Sequence, residues 1–445
     1  MENLTRRHFL GNSVTLSTGI SLMGNLSAWG TPDATDVTPQ ETVTNTNANM
    51  DVPPLALRVA VIGNTGRGDY GHDLHLAWRD VVRDARYSRV EVVALADSDD
   101  TGRAKAIADL GEVAQQAKSF ADWHQMLEEV KPDILTICPR FIDVHCEMLL
   151  AAADAGVKGV FCEKPLCRTL AEADQVIAAC DRTGMQVVMA HQTRYSPIWQ
   201  QVKTLIAANK IGNVLEIRAR GKEDARGGVE DTIVLGTHLF DMVQDIWGMP
   251  QWCFGTVAAS DTAGAVAGTS ATHPITRADL HEAGDGIGQI AGDTLHAMYG
   301  LADGKMLYFD SVNDGRGGAR FGLRIYGSQG IIEVGMGYMP PAYLFPHRTW
   351  SPIRGKKEWM PISSAGLNKE EPMSKDEQAL HWGNVAACKD LLSVLGDLTK
   401  RPIADIRQAR TAMEMIYAPM ISQIVQNGPV TLPLIERDDP FARLP

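Results

Sequence analysis

The residues with the most chemical promise stand at the ends of apolar runs. Cys162-Glu163-Lys164-Pro165-Leu166 follows directly on Lys158-Gly159-Val160-Phe161, which reads as a buried strand. A charged Glu-Lys pair in such a place, held by a proline, is a poor device for solubility. A desolvated lysine shifts its pKa downward and can accept a proton or hydrogen-bond a developing alkoxide. The bland alternative is a salt bridge between Lys164 and Glu163. Earlier, Leu57-Arg58-Val59-Ala60-Val61-Ile62 ends in Gly63-Asn64-Thr65-Gly66-Arg67-Gly68. Glycine permits positive φ and lets main-chain N–H groups approach a pyrophosphate at a helix N-terminus. The spacing, G-x-x-G-x-G, is weak as a motif and also suits a purely structural turn. Arg67 within it either reaches a phosphate or is solvated. Asp97 closes the apolar run over 90–97, where a carboxylate can accept from a ribose diol and repel a 2′-phosphate. That favours NAD over NADP; the competing reading is a cap on the following helix.

A scaffold must present these positions. Strand-like runs over 57–62, 90–97, 133–139, 158–162 and 186–190 alternate with helix-like stretches over 74–85, 103–110, 123–130, 144–155 and 171–183. Near-continuous apolar strands between amphipathic helices predict a doubly wound α/β domain with a parallel sheet covered on both faces. Its crossovers are right-handed, and its ligand lies beyond the carboxyl ends of the strands. Further on, 214–220, 294–299, 305–312 and 321–326 read as strands separated by Gly or Asp turns, with 300–304 as a hairpin connection. The Ala/Gly/Thr-rich 258–292 reads as an insertion loop or rim, and 378–395 and 407–426 as long helices. His72 and His75 read as surface residues of the first helix region.

Composition narrows the class. At roughly 150 residues per domain, 445 residues suggest two or three domains. The net charge of −12 without a basic stripe argues against nucleic acid. No apolar run reaches the ~18–20 residues needed to cross a bilayer. The seven Cys form neither a CxxC pair nor a zinc-like grouping, so no metal site is expected. Cys138, Cys146, Cys162 and Cys180 read as buried free thiols. At the N-terminus, Arg6-Arg7-His8-Phe9-Leu10 precedes a weakly apolar stretch and Ala28-Trp29-Gly30, which resembles a twin-arginine export signal. The alternative is an ordinary basic N-terminus. The export reading implies the Tat machinery as a partner and a periplasmic destination. Residues 31–54, rich in Thr, Asn and Pro, read as a disordered tether.

The Glu163-Lys164-Pro165 triplet in this setting resembles the Gfo/Idh/MocA oxidoreductases, the glucose–fructose oxidoreductase and inositol dehydrogenase group. Pro139 and His145, Arg194-Tyr195-Ser196-Pro197, Ile211-Gly212-Asn213-Val214, Gly236-Thr237-His238-Leu239-Phe240-Asp241 and the segment 428–433 fit that resemblance. It covers about 57–434 and implies a Rossmann domain over 55–190. A second α+β domain over 191–434, with an open, mainly antiparallel sheet and a tail over 435–445, completes the implied layout. The resemblance also implies NAD held by Gly63, Asn64, Thr65, Gly66, Arg67, Gly68, Asp97, Pro139 and Glu163. Lys164 would then lie beside the nicotinamide and His238 would take the alcohol proton; a packed or capping role for His238 is the alternative. Arg194 and Tyr195 are candidate substrate contacts or structural loop residues. Where the family often carries an aspartate four residues before the histidine, this chain has Val234; Asp241 matches an acid usually read as structural.

The expected activity is hydride transfer on a sugar, polyol or glycoside by a homo-oligomeric, exported enzyme with tightly bound, recycled NAD. Two other classes stay open: an NAD-assisted glycoside lyase or hydrolase without net redox, and a non-catalytic sugar-binding accessory protein.

Overall fold

The computed structural model describes residues 56–224, 226–260, 272–313, 320–349, 358–379 and 383–444. The twin-arginine stretch and the whole of the expected tether, 31–54, lie outside them. The described residues belong to one compact unit, Val52–Pro445.

Its N-terminal lobe is built on Leu57–Ile62 (β1), Val90–Ala96 (β2), Lys118–Phe120 (β3), Ile134–Ile137 (β4), Gly159–Cys162 (β5) and Gln186–Met189 (β6). All pair in parallel, in the order β3-β2-β1-β4-β5-β6. β4 and β5 are buried at every residue, which is why they show no apolar/polar alternation. Strand order reverses between β1 and β4, so a crevice opens at their carboxyl ends. The helices are Ala77–Val81 (α1), Asp100–Leu110 (α2), Trp123–Val130 (α3), His145–Asp154 (α4) and Leu170–Thr183 (α5). Side chains of Asp99, Asp122 and Thr169 accept from Gly102, His124 and Glu172 main-chain N–H groups, and so start α2, α3 and α5. The helix expected over 74–85 is cut to α1, because Asp84 caps a separate short turn at Ala85–Tyr87.

The second lobe adds Pro197–Ala207 (α6), Val214–Arg220 (β7), Gly228–Val234 (α7), Gly236–Trp247 (α8), Trp252–Ser260 (β8), Thr272–Pro274 (β9), His281–Ala283 (β10) and Gly288–Ile290 (β11). Thr294–Gly300 (β12), Met306–Val312 (β13), Gly322–Gly327 (β14), Ile331–Gly335 (β15), Ala342–Phe345 (β16), Met360–Ser363 (β17) and Gly366–Leu367 (β18) follow. Lys375–Ala379 (α9), Asn384–Gly396 (α10), Ile406–Ile421 (α11) and Val430–Thr431 (β19) end the chain. The large sheet runs β18-β17-β16-β15-β14-β7-β13-β12-β8-β19, with β9 on β8. Every neighbouring pair is antiparallel except β7 and β13. Helices α7, α8 and α11 pack on one face. Phe254 and Met298, register partners, are exposed on the other. A groove of about 620 Å³ there is lined by Arg218, Arg220, Arg324, Tyr343 and Phe321 among others.

Two sequence expectations change. The segment 258–292 finishes β8, supplies β9 and forms the β10–β11 hairpin, whose tip residues Asp285 and Gly286 have φ 53° and 73°, as a two-residue type I′ turn requires. That tip reaches the first lobe, where the Ile142 N–H donates to Asp285 O at 2.9 Å. Helix α10 leaves the second lobe and covers the parallel sheet. Leu391 and Leu395 come so close to β5 that a Cβ on Gly159 would meet both at 3.0 Å. Among the described residues no helix is long and apolar enough to cross a membrane.

Candidate active site

β5 delivers Glu163 and Lys164 to the crevice, with a cis peptide between Lys164 and Pro165. Lys164 Nζ donates to the carbonyl oxygen of Val234 at 3.2 Å. That carbonyl is free because the chain breaks between α7 and α8: the His238 N–H bonds Leu235 O at 3.1 Å instead. The ammonium therefore caps the C-terminal, negative end of α7. Burial, opposed by Glu163, pushes the Lys164 pKa down. Glu163 Oε1 lies 3.8 Å from Lys164 Nζ and 3.0 Å from His72 Nδ1, while Oε2 is buried without a partner. Burial pushes the Glu163 carboxyl up, but the charges of His72, Lys164 and His145 outweigh it and hold it below its ordinary value.

His238, on the first turn of α8, is part-buried and hydrogen-bonded by no described side chain. Its ring meets His191 and Phe321 edge-on, with centroids 5.7 and 6.2 Å away. Burial, then Lys164 and His191, push its pKa well below the histidine value. The structure thus brings Lys164 and His238 to the same α7–α8 break. Behind His238, His191 Nε2 lies 2.9 Å from Thr237 Oγ1, and its Nδ1, otherwise without a partner, lies 3.5 Å from Asp241 Oδ1. Burial pushes His191 down to about 3, and it pushes Asp241 up to about 7. His191 stands two residues past the buried end of β6, the signal in the sequence that could have marked it.

Arg194 and Tyr195, candidates for substrate contact, are spent inside the protein. Arg194 donates to Asp241 O, Ile403 O and Gln408 Oε1 at 3.3, 2.7 and 2.9 Å. Tyr195 OH donates to Asp390 Oδ2 at 2.9 Å. Both tie α8, α10 and the start of α11 together. Arg67 pairs with Asp143 and stacks on Phe141. His75 is buried, and His72 holds Glu163, so neither is the bystander that the sequence suggested. Asp231, on α7, is buried and accepts from Ser311 Oγ at 2.6 Å.

The dinucleotide end is more inward-turned than expected. The amides of Asn64, Thr65, Gly66 and Arg67 donate to Asp69 O, Asp97, Asp69 Oδ1 and Asn64 O. Asp97 is buried and also takes the Thr65 hydroxyl at 2.7 Å; the cap of α2 is Asp99, so the capping reading of Asp97 is displaced. A later register carries the close approach. Gly66, Gly68 and Gly71 spell G-x-G-x-x-G and have φ 82°, 89° and 61°. A Cβ on Gly68 would meet Arg140 N at 2.5 Å, and one on Gly71 would meet Cys138 O at 2.5 Å and Glu163 Oε2 at 3.2 Å. Gly71 was missed because the reading stopped at Gly68. Gly63 is covered by the Tyr70 ring, 2.2 Å from where a Cβ would stand. Pro139 is buried, its carbonyl 2.7 Å from His145 Nε2, while His145 Nδ1 lies 2.8 Å from Pro165 O. His145 thereby ties the β4 and β5 loops together. The glycine cradle, the buried Asp97 and the unpartnered Glu163 Oε2 fit a dinucleotide lying across the switch point.

Residues 57–191 match the Gfo/Idh/MocA family model, described as an oxidoreductase family with an NAD-binding Rossmann fold. Inositol 2-dehydrogenase of Salmonella typhimurium is 34% identical over 134 residues, which cover 30% of this chain and 38% of that protein. D-apiose dehydrogenase of Paraburkholderia graminis is 28% identical over 196 residues, 41% of this chain and 48% of that one. The chain therefore spans less than half the length of these relatives. Over the whole fold, an NAD binding oxidoreductase from Klebsiella pneumoniae superposes with TM-score 0.61 at 16% identity, covering 85% of this chain and 99% of that one. Levoglucosan dehydrogenase in complex with NADH and levoglucosan gives 0.63 at 16% identity, covering 85% and 100%.

Proposed function

We propose that this protein oxidises or reduces a hydroxyl-bearing carbon of a carbohydrate or polyol, with NAD as the hydride carrier. The observation that carries the reading is the buried Lys164, held at the α7–α8 break beside His238 and backed by Glu163. Dehydrogenases of inositol, apiose and levoglucosan among the similar proteins support the substrate class.

Gly66, Gly68, Gly71, Asp97 and Glu163 would hold the dinucleotide, which supplies hydride exchange when bound. This chain's own residues handle the proton. An alcohol losing hydride must also lose its hydroxyl proton, and a base matched to working pH does that best. Burial lowers Lys164 toward that range, and burial keeps His238 neutral, a hydrogen-bond acceptor. The carbonyl of Val234 orients the lysine without neutralising it, as an aspartate there would. Phe321 meets the imidazole edge-on.

Export through the Tat route with NAD retained between turnovers belongs to the same proposal. A site that never releases its cofactor also suits redox-neutral cleavage of a glycoside, and the carbonyl in place of a carboxylate at position 234 favours weighing that reading. Denaturing the purified protein and assaying released nicotinamide, alongside NADH formation on a panel of sugars and polyols, tests both. Bound NAD with NADH formation supports the dehydrogenase. Bound NAD with glycoside cleavage and no NADH supports the redox-neutral reading. Failure to retain or bind NAD would leave a non-catalytic sugar-binding protein.

A further inference from the structure

A base that takes a proton in each turnover must return it to solvent before the next, yet Lys164 is buried. Its side chain is 3% exposed and that of Glu163 is 0% exposed, whereas the His72 side chain is 44% exposed. These three form a line. Lys164 Nζ stands 3.8 Å from Glu163 Oε1, and the same oxygen lies 3.0 Å from His72 Nδ1. Glu163 Oε2, buried and without a partner, leaves the carboxylate a further acceptor position.

The line is held at both ends. Asn384, the first residue of α10, donates from Nδ2 to His72 O at 2.9 Å. Gly71, without a side chain and at φ 61°, lets the loop lie against Glu163. The opposite direction from Lys164 leads inward: His191 and Asp241 are 2% and 1% exposed, and their facing atoms end in the core. The branch through Glu163 ends on the exposed His72, whereas the one toward His191 and Asp241 ends in the core. Glu163 and Lys164, on the loop after β5, are faced by His72 from the loop after β1, His145 from α4 and His238 from α8.

We propose that Glu163 and His72 are the proton exit of Lys164, a proposal that rests on the hydride-transfer reading above. The Lys164 ammonium gives a proton to the Glu163 carboxylate as the side chain closes the gap. The protonated carboxyl donates to the bare Nδ1 of His72 in its Nε2–H form, and the imidazolium, on a side chain 44% exposed, swings outward and gives that Nδ1 proton to water. This regenerates the starting form; no carbon bond changes and no electron moves. His72 is a positioning and relay residue rather than a catalytic one.

The test uses the full holo-protein and a sugar or polyol that the wild type oxidises. H72A is expected to lose roughly 10²-fold in kcat with KM and NAD affinity little changed, to show a larger solvent deuterium isotope effect, and to recover with added imidazole. H72Q keeps a hydrogen bond to Glu163 but carries no proton, and is expected to be as slow as H72A. Wild-type kcat in H72A, full activity in H72Q, or a loss that imidazole does not restore overturns the exit while leaving the reaction standing. A wild type that binds NAD but oxidises nothing overturns both.

Discussion

The His191–Asp241 pair makes a quantitative prediction about stability and pH. An unfolded histidine titrates near 6.5, but buried His191 is held down to about 3. Between those values the unfolded chain binds a proton that the folded one refuses, so stability falls as pH drops. Asp241 works the other way. Its folded pKa of about 7 lies above the ordinary 3.8, so its contribution is full below 3.8 and is lost as pH rises through 7. At about 1.36 kcal/mol per unit, moving from pH 7 to pH 5 costs about 2 kcal/mol through His191 and returns about 2 kcal/mol through Asp241. The two slopes nearly cancel, and wild-type stability is insensitive to this pair over that range. Substituting one partner unmasks the other. Relative to wild type, H191Q is expected to gain about 2 kcal/mol on going from pH 7 to 5, and D241N to lose about as much, with the double variant close to wild type. Urea unfolding at both pH values measures this, and the change with pH removes the constant cost of lost hydrogen bonds, including that of Arg194. If either single variant tracks the wild type with pH, the assigned protonation of the pair is wrong.

Other expectations follow from single contacts. K164M should lower NAD-dependent turnover on a sugar by roughly 10²–10⁴-fold while a fluorescence titration still shows NAD binding. G71A forces a left-handed backbone on alanine and drives a methyl against Cys138 O. It should cost at least ~1 kcal/mol in chemical unfolding and weaken NAD binding about tenfold or more. G286V places a β-branched residue at φ 73° with Asp143 Oδ1 2.4 Å from its Cβ. Hydrogen exchange over 281–290 should then quicken about tenfold or more, without change in the amides of β1 and β4.

Sequence reading recovered what local physics controls. The parallel strands announced themselves as unbroken apolar runs, and α3 begins where Asp122 places a cap. β7 and α5 also lie within one residue of expectation. Short strands such as β15 and β16 escaped, since four or five residues beside Gly and Pro carry no period to read. The site was half visible. Lys164 and Glu163 stood out by their charge at a buried strand end, but their partners did not. His72 and Glu163 are 91 positions apart and meet only through the sheet. Arg194 shows the same gap: nothing local says whether a guanidinium faces a ligand or the carbonyls of Asp241 and Ile403. The glycine register was misplaced because the loop inserts three residues after β1 before its close approach begins.

Helix α10 has a consequence for how the protein is made. The first lobe's own sequence ends near residue 190, but one face of its sheet is sealed by residues encoded almost two hundred codons later. A ribosome that has just released β6 holds a sheet with Val59, Val61 and Val188 on a face still awaiting Leu391 and Leu392. The dinucleotide crevice therefore matures late, when nearly the whole polypeptide has emerged, and assembly of the two lobes is a single event rather than a sequence of independent ones.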